Sequence, residues 1–133
     1  MYSVKANSVS KTRAAIAVKE SEFSFGITPE MNDQLASPAE LFLGSVAACI
    51  LKNVERFSVI LKFEYETASV EVKAVRLEKP PRMDEILYSL KIYSNDSKLN
   101  IKLLQRNIEK FGTIYNTVKL SCKIEGSIER VDP

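Results

Sequence analysis

The stretch SPAELFLGSVAACIL, residues 37–51, decides the fold. Its first four residues form a helix start in which three signals agree. Ser37 is an N-cap whose hydroxyl can accept from the amide three residues on, Pro38 fills a position that needs no donor, and Glu40 can reach back to the Ser37 amide. From Leu41 to Leu51 the helix is apolar almost all the way round, and a helix without a polar face is buried on every side. It is too short for a bilayer, which needs ~20 apolar residues between charges, whereas Glu40 and Lys52 bracket this run closely. The following segment, KNVERFSVILK (52–62), is amphipathic. The spacing therefore predicts one long helix from about Pro38 to about Leu61, jacketed by sheet or by a partner chain.

The flanking segments supply the sheet. In TRAAIAVK (12–19), Thr12, Ala14, Ile16 and Val18 share one face and Arg13, Ala15, Ala17 and Lys19 the other. In EFSFGI (22–27), Phe23, Phe25 and Ile27 alternate with Ser24 and Gly26, and KESE (19–22) reads as the hairpin turn between the two runs. Residues 28–37 have no period and read as a loop. After the long helix, residues 65–79 read as a strand whose alternation slips at Ala74–Val75, the mark of a bulge, and Pro80–Pro81 ends it. Residues 85–93 place Ile86, Tyr88, Leu90 and Ile92 on one face of another strand. NDS (95–97) offers a cap for a helix over 98–111, with Leu104, Ile108 and Phe111 at helical spacing, and Gly112 stops it in the left-handed conformation that glycine favours. A last strand carries Val118, Leu120, Cys122, Ile124 and Ile128 on its apolar face. The order is βββ-α-ββ-α-β, an α+β chain expected to form a single domain over 1–133.

Composition narrows the chemistry. The 133 residues hold 19 Lys and Arg against 17 Asp and Glu, a formal charge of +2, which gives no field suited to a nucleic-acid backbone. There is no histidine. A Ser-His-Asp triad, a Cys-His dyad and a histidine-bearing metal site are therefore beyond the chain's own residues, and neither a metal nor another cofactor is expected. The four glycines are scattered singly, so there is no phosphate-binding loop. The two cysteines, Cys49 and Cys122, form no Cys-x-x-Cys pair and are too few for a disulfide scaffold. MYSVKANSVS at the start lacks the apolar stretch of a signal peptide. A reducing cytoplasm, with no membrane partner, is the expected setting.

Cys49 is the residue on which a reaction could turn. It sits in the apolar helix with Ser45, Lys52, Asn53 and Arg56 at neighbouring helical positions. A nearby cation or donor makes a cysteine a nucleophile; otherwise it is a small hydrophobe in a buried helix. Both readings stand on sequence physics. Cys122, on an alternating strand, reads as structural. Lys98, Lys102, Arg106 and Lys110, recurring every four residues, read as the solvated face of the second helix rather than a basic docking stripe.

Two segments carry a resemblance. SPAELFLGSVAAC (37–49) resembles the central-helix signature of the OsmC/Ohr family, the osmotically inducible and organic-hydroperoxide-resistance proteins, in which a Ser/Asn-Pro start leads through a Leu- and Ala-rich turn to a cysteine. EKFGTIYNTV (109–118) is similar to the family's second motif, with Lys110, Phe111, Ile114, Asn116 and Thr117 in common. The resemblance implies an interlocked homodimer around the central helices, with sites at the interface. It also implies thiol-dependent reduction of organic hydroperoxides, with Cys49 at the position of the peroxide-attacking cysteine. The family's second cysteine falls on Gly112, and its active-site glutamate on Ala39, next to the capping Glu40. The family arginine comes from the N-terminal strands or the loop after them, where Arg13 is the one arginine and Lys11 and Lys19 are weaker substitutes. The expected function is a one-cysteine hydroperoxide reductase served by an external thiol. The alternative is a non-catalytic dimer that binds a hydrophobic small molecule in an interface pocket, with Cys49 a packing residue.

Overall fold

A computed structural model describes all residues, 1–133. The expected helix start is present in atomic detail. The Ser37 amide donates to Glu40 Oε1 at 3.0 Å and the Glu40 amide to Ser37 Oγ at 3.2 Å. From there α1 runs over Pro38–Ile60. These two reciprocal bonds, one from an amide to a carboxylate and one from an amide to a hydroxyl, satisfy donors that the first helical turn leaves orphaned, and the Ser37 amide holds the Glu40 carboxyl below its ordinary range.

The chain forms two compact units, Met1–Phe42 and Leu43–Pro133. The first is a three-stranded antiparallel meander: β1 (Lys5–Val9), β2 (Arg13–Val18) and β3 (Ser21–Phe25). Its register sets Ile16 between Ala6 and Phe23, and Ala14 between Ser8 and Phe25, so the apolar residues share one face as the alternation requires. Lys11 and Lys19 turn the two hairpins with φ of 64° and 53°. A single 3-10 turn at Pro29–Met31 interrupts the expected loop.

In the second unit, β4 (Thr67–Glu78) pairs antiparallel with β5 (Pro81–Tyr93), and β6 (Ile124–Val131) pairs parallel with β5. The β4–β5 register shifts between Lys73 and Val75, where the alternation slipped in the sequence. One face of this sheet and the inner line of α1 form the core. Ile50, Val54, Ile86, Leu90, Ile92, Leu104 and Ile108 are fully buried, and each contributes about 1.5–3 kcal/mol by leaving water. The opposite sheet face carries Glu71, Lys73, Lys91, Glu125 and Glu129 to solvent.

Several local expectations are corrected. Pro81 opens β5 instead of standing in a break, because the first residue of a strand can lack a ladder donor. The second helix, α2, covers Ile101–Phe111 and is capped by Asn100, whose Oδ1 accepts from the Leu103 amide at 3.1 Å. The NDS segment serves a turn instead: Asp96 accepts from the amides of Glu64 and Lys98, each at 2.8 Å. Gly112 is extended, with φ −69° and ψ 115°, not left-handed. It joins α2 to a short helix, α3 (Thr113–Val118). Val118, Leu120 and Cys122 are therefore not strand residues. A parallel neighbour for β5 has to be reached by a crossover, and the chain spends those residues on α3 and the turn after it.

α1 is buried along Val46, Ile50, Asn53, Val54 and Phe57. Gly44, Ala48 and Lys52, four residues apart on another line, are exposed in the single chain.

Candidate functional site

Cys49 lies on α1, half-buried and unpaired by any disulfide. Its sulfur faces the junction between α2 and α3. A Cβ built on Gly112 would stand 3.2 Å from Cys49 Sγ, 2.8 Å from the Ile108 carbonyl oxygen and 3.2 Å from the Tyr115 Cβ. The two positions singled out by the resemblance, far apart in sequence, thus meet in space. The polar neighbour of the sulfur is Asn53, one helical turn on. Its Nδ2 donates to the Cys49 carbonyl at 2.8 Å and lies 3.7 Å from Cys49 Sγ.

The cations named with Cys49 take other places. Lys52 is exposed, and the Arg56 guanidinium lies over the Phe57 ring, 5.3 Å from its centroid. Arg13 is the exposed first residue of β2, opposite Val9, in the first unit. Ala39 and Glu40 lie in the first turn of α1, where Glu40 is committed to the cap. Cys122 sits in the turn before β6, its thiol donating to the Met83 carbonyl at 3.3 Å, with its side chain packed against the core. It remains structural, but as a turn residue and not as part of a strand. Lys102, Arg106 and Lys110 are exposed on α2, opposite the buried Leu104 and Ile108.

One cluster beside this site was not anticipated. The Tyr88 hydroxyl donates to Glu109 Oε2 at 2.5 Å, while Gln105 Nε2 lies within hydrogen-bond distance of Glu109 Oε2 and Tyr88 Oη, both at 3.1 Å, and of the Gly126 carbonyl at 2.8 Å. It ties α2 to β5 and β6 one turn before Gly112. Burial, reinforced by the Glu109 carboxylate, pushes the Tyr88 phenol far above its ordinary range, and the Tyr115 phenol upward as well. The Tyr88 ring covers Gly126 so closely that a Cβ there would be 2.2 Å from the ring carbons. The sequence held a faint signal: Gln105 and Glu109 are four apart on α2, and Tyr88 lies on an otherwise aliphatic strand face.

A depression of about 1040 Å³ lies elsewhere, at the C-terminal end of α1 among Glu55, Ser58, Lys62, Tyr65, Asp96 and Lys98. Its polar groups bond one another: Tyr65 Oη donates to Glu55 Oε1 at 3.2 Å and Ser58 Oγ to the Glu55 carbonyl at 2.7 Å.

With the fold and the Cys49–Gly112 meeting established, comparison with known proteins is decisive. The family model for OsmC-like proteins matches residues 31–127, spanning both motifs. The chain belongs to the OsmC family. Its fold is similar to that of an OsmC-like protein from Mycoplasma pneumoniae, at TM-score 0.87 and 18% identity over 98% of this chain and 97% of that one. A hypothetical protein from Aquifex aeolicus is similar at TM-score 0.82 and 20% identity, over 100% and 98% of the two chains. An organic hydroperoxide resistance protein from Elizabethkingia anophelis, with thiocyanate bound, is similar at 0.71 and 13%, over 98% of each chain. No curated protein matches the sequence significantly. The fold is thus α+β as expected, and it is shared with the hydroperoxide resistance protein from Elizabethkingia anophelis. No helix is long and apolar enough to cross a membrane.

Proposed function

We propose that this OsmC-family chain reduces organic hydroperoxides through Cys49 alone, with an external thiol completing the cycle. The observation that carries the reading is the approach of Cys49 Sγ to Gly112. The attacking position of the family holds a thiol, half-buried and unpaired, and the facing position holds a residue that cannot resolve it. In the reaction the Cys49 thiolate attacks the distal peroxide oxygen, the O–O bond breaks, and the alcohol leaves after taking a proton. Sulfur is oxidised to the sulfenic acid and the peroxide is reduced. A low-molecular-weight thiol then condenses with the sulfenic acid, releasing water and forming a mixed disulfide. A second thiol frees Cys49 and leaves as the small disulfide.

The two units are read as one OsmC-like domain over 1–133, since the fold similarity spans nearly the whole chain. A homodimer in a reducing cytoplasm supplies the cover for the exposed Gly44–Ala48 line of α1. Arg13 is the proposed activator of Cys49 within that assembly.

Stopped-flow consumption of cumene hydroperoxide tests the reading. The reduced protein should consume about one equivalent per chain without added thiol, and many equivalents with dithiothreitol. Cys122→Ser should match it and Cys49→Ser should be inactive. Equal rates in the native protein and Cys49→Ser, or no loss of Cys49 thiol, would overturn it.

A further inference from the structure

We propose that Asn53 is the hydrogen-bond donor that holds the anionic sulfur of Cys49, as thiolate and then as sulfenate. The inference rests on Cys49 being the attacking thiol. Asparagine is a poor residue for the middle of a helix, where its amide competes with the backbone, and burying an amide is costly unless it is bonded. Asn53 is nevertheless only 8% exposed, on the inner line of α1 between Ile50 and Val54. Its Nδ2 carries two hydrogens. One is used at 2.8 Å by the Cys49 carbonyl, and the same nitrogen stands 3.7 Å from Cys49 Sγ, within the reach of a hydrogen bond to sulfur.

This donor has a purpose particular to a chain with glycine at position 112. Where a second thiol faces the first, a sulfenic acid is consumed at once by formation of a disulfide. Here the missing Cβ, which would lie 3.2 Å from the sulfur, leaves no such partner. The oxidised sulfur has to persist until an external thiol arrives. An amide bonded to the helix at its own base is a fixed donor to negative charge on Sγ or on the sulfenate oxygen, and hydrogen bonds to charged groups are the strong ones. Asn53 touches the reacting atom directly, so it is a catalytic residue in this scheme.

The test separates the sulfur bond from the carbonyl bond. In a Cys122→Ser background, Asn53→Ser keeps a hydroxyl able to bond the carbonyl four residues back but too short to serve the sulfur. Asn53→Asp keeps the shape and removes the donor. The readout is the rate of iodoacetamide alkylation of Cys49 as a function of pH. At pH 7, Asn53→Ser should react about ten- to a hundredfold more slowly than the parent, the worth of one hydrogen bond to a charged group, and Asn53→Asp more slowly still. All three should converge at high pH, which a merely structural role would not produce. Coincident profiles in the parent and Asn53→Ser would overturn the role of Asn53, and this comparison stands if Asn53→Asp does not fold. Failure of the native protein to consume cumene hydroperoxide would instead end the peroxidase reading, while the alkylation profiles would still decide whether Asn53 serves the sulfur.

Discussion

The two units of this chain are held together by different physics. Leu43–Pro133 has a continuous core from α1 through β5 to α2, with Ile50, Ile86, Leu90, Ile92, Leu104 and Ile108 fully removed from water. Met1–Phe42 has Ala14 as its buried hydrophobic residue, while Phe23 remains 50% exposed. Its order comes from local devices: two hairpins with fixed register, and a capping box at the start of α1. The contrast teaches that a regular sheet can be specified by alternation and turns without containing its own core. Such a unit has little buried apolar surface of its own, and its regularity rests on local pairing.

The largest expected effect sharpens this contrast directly. Leu104→Ala should destabilise the protein by about 2–5 kcal/mol, as truncation of a fully buried leucine does, read as a fall in the midpoint of urea unfolding. Ile16→Ala, on the half-buried face of β2, should cost clearly less. Equal costs would show that the first unit has a core of comparable depth.

A middle-sized effect belongs to the second unit alone. The Tyr88 phenol is raised in the folded state by burial and by Glu109. A raised group contributes stability that is fully present below its unfolded value, near 10, and is lost as pH climbs beyond it. The thermal midpoint of the native protein should therefore fall more steeply above about pH 10 than that of Tyr88→Phe, which has no phenol to ionise. Parallel declines would remove Tyr88 as the cause.

The smallest effect probes the local devices. Ser37→Ala deletes the hydroxyl that accepts from the Glu40 amide and should cost about 1 kcal/mol. The loss should appear as faster amide exchange in the first turn of α1, with the β5 core amides nearly unchanged. A uniform increase across the chain would mean that the two units unfold as one.

Much of this architecture was legible in the residues because its signals are local. Ser37-Pro38-Ala39-Glu40 set the start of α1, the slip at Ala74–Val75 set the bulge, and alternation set the inward faces of β2 and β5. The misreadings arose where two patterns overlap. Val118, Leu120 and Cys122 alternate like a strand, yet Ile114, Tyr115 and Val118 also fit a helical face, and the need to reach a parallel position beside β5 decided for the helix. Gly112 resembled an ordinary helix terminator, but its extended backbone lets it receive α3 and pass close to Cys49. The Tyr88–Gln105–Glu109 bonds were hidden because they join a strand to a helix, a pairing that neither period displays.

By itself, then, the sequence determined most element types, the capped central helix and the two motifs that carry the family resemblance, all of which are written in short stretches of the chain. The tertiary structure alone decided that Gly112 would stand against the Cys49 sulfur, that Asn53 would be buried with its amide beside that sulfur, and that Tyr88 would need Gly126 beneath its ring. These are distances between segments, set by how α1, α2 and the sheet close over a shared core, and no residue encodes them until its neighbours are in place.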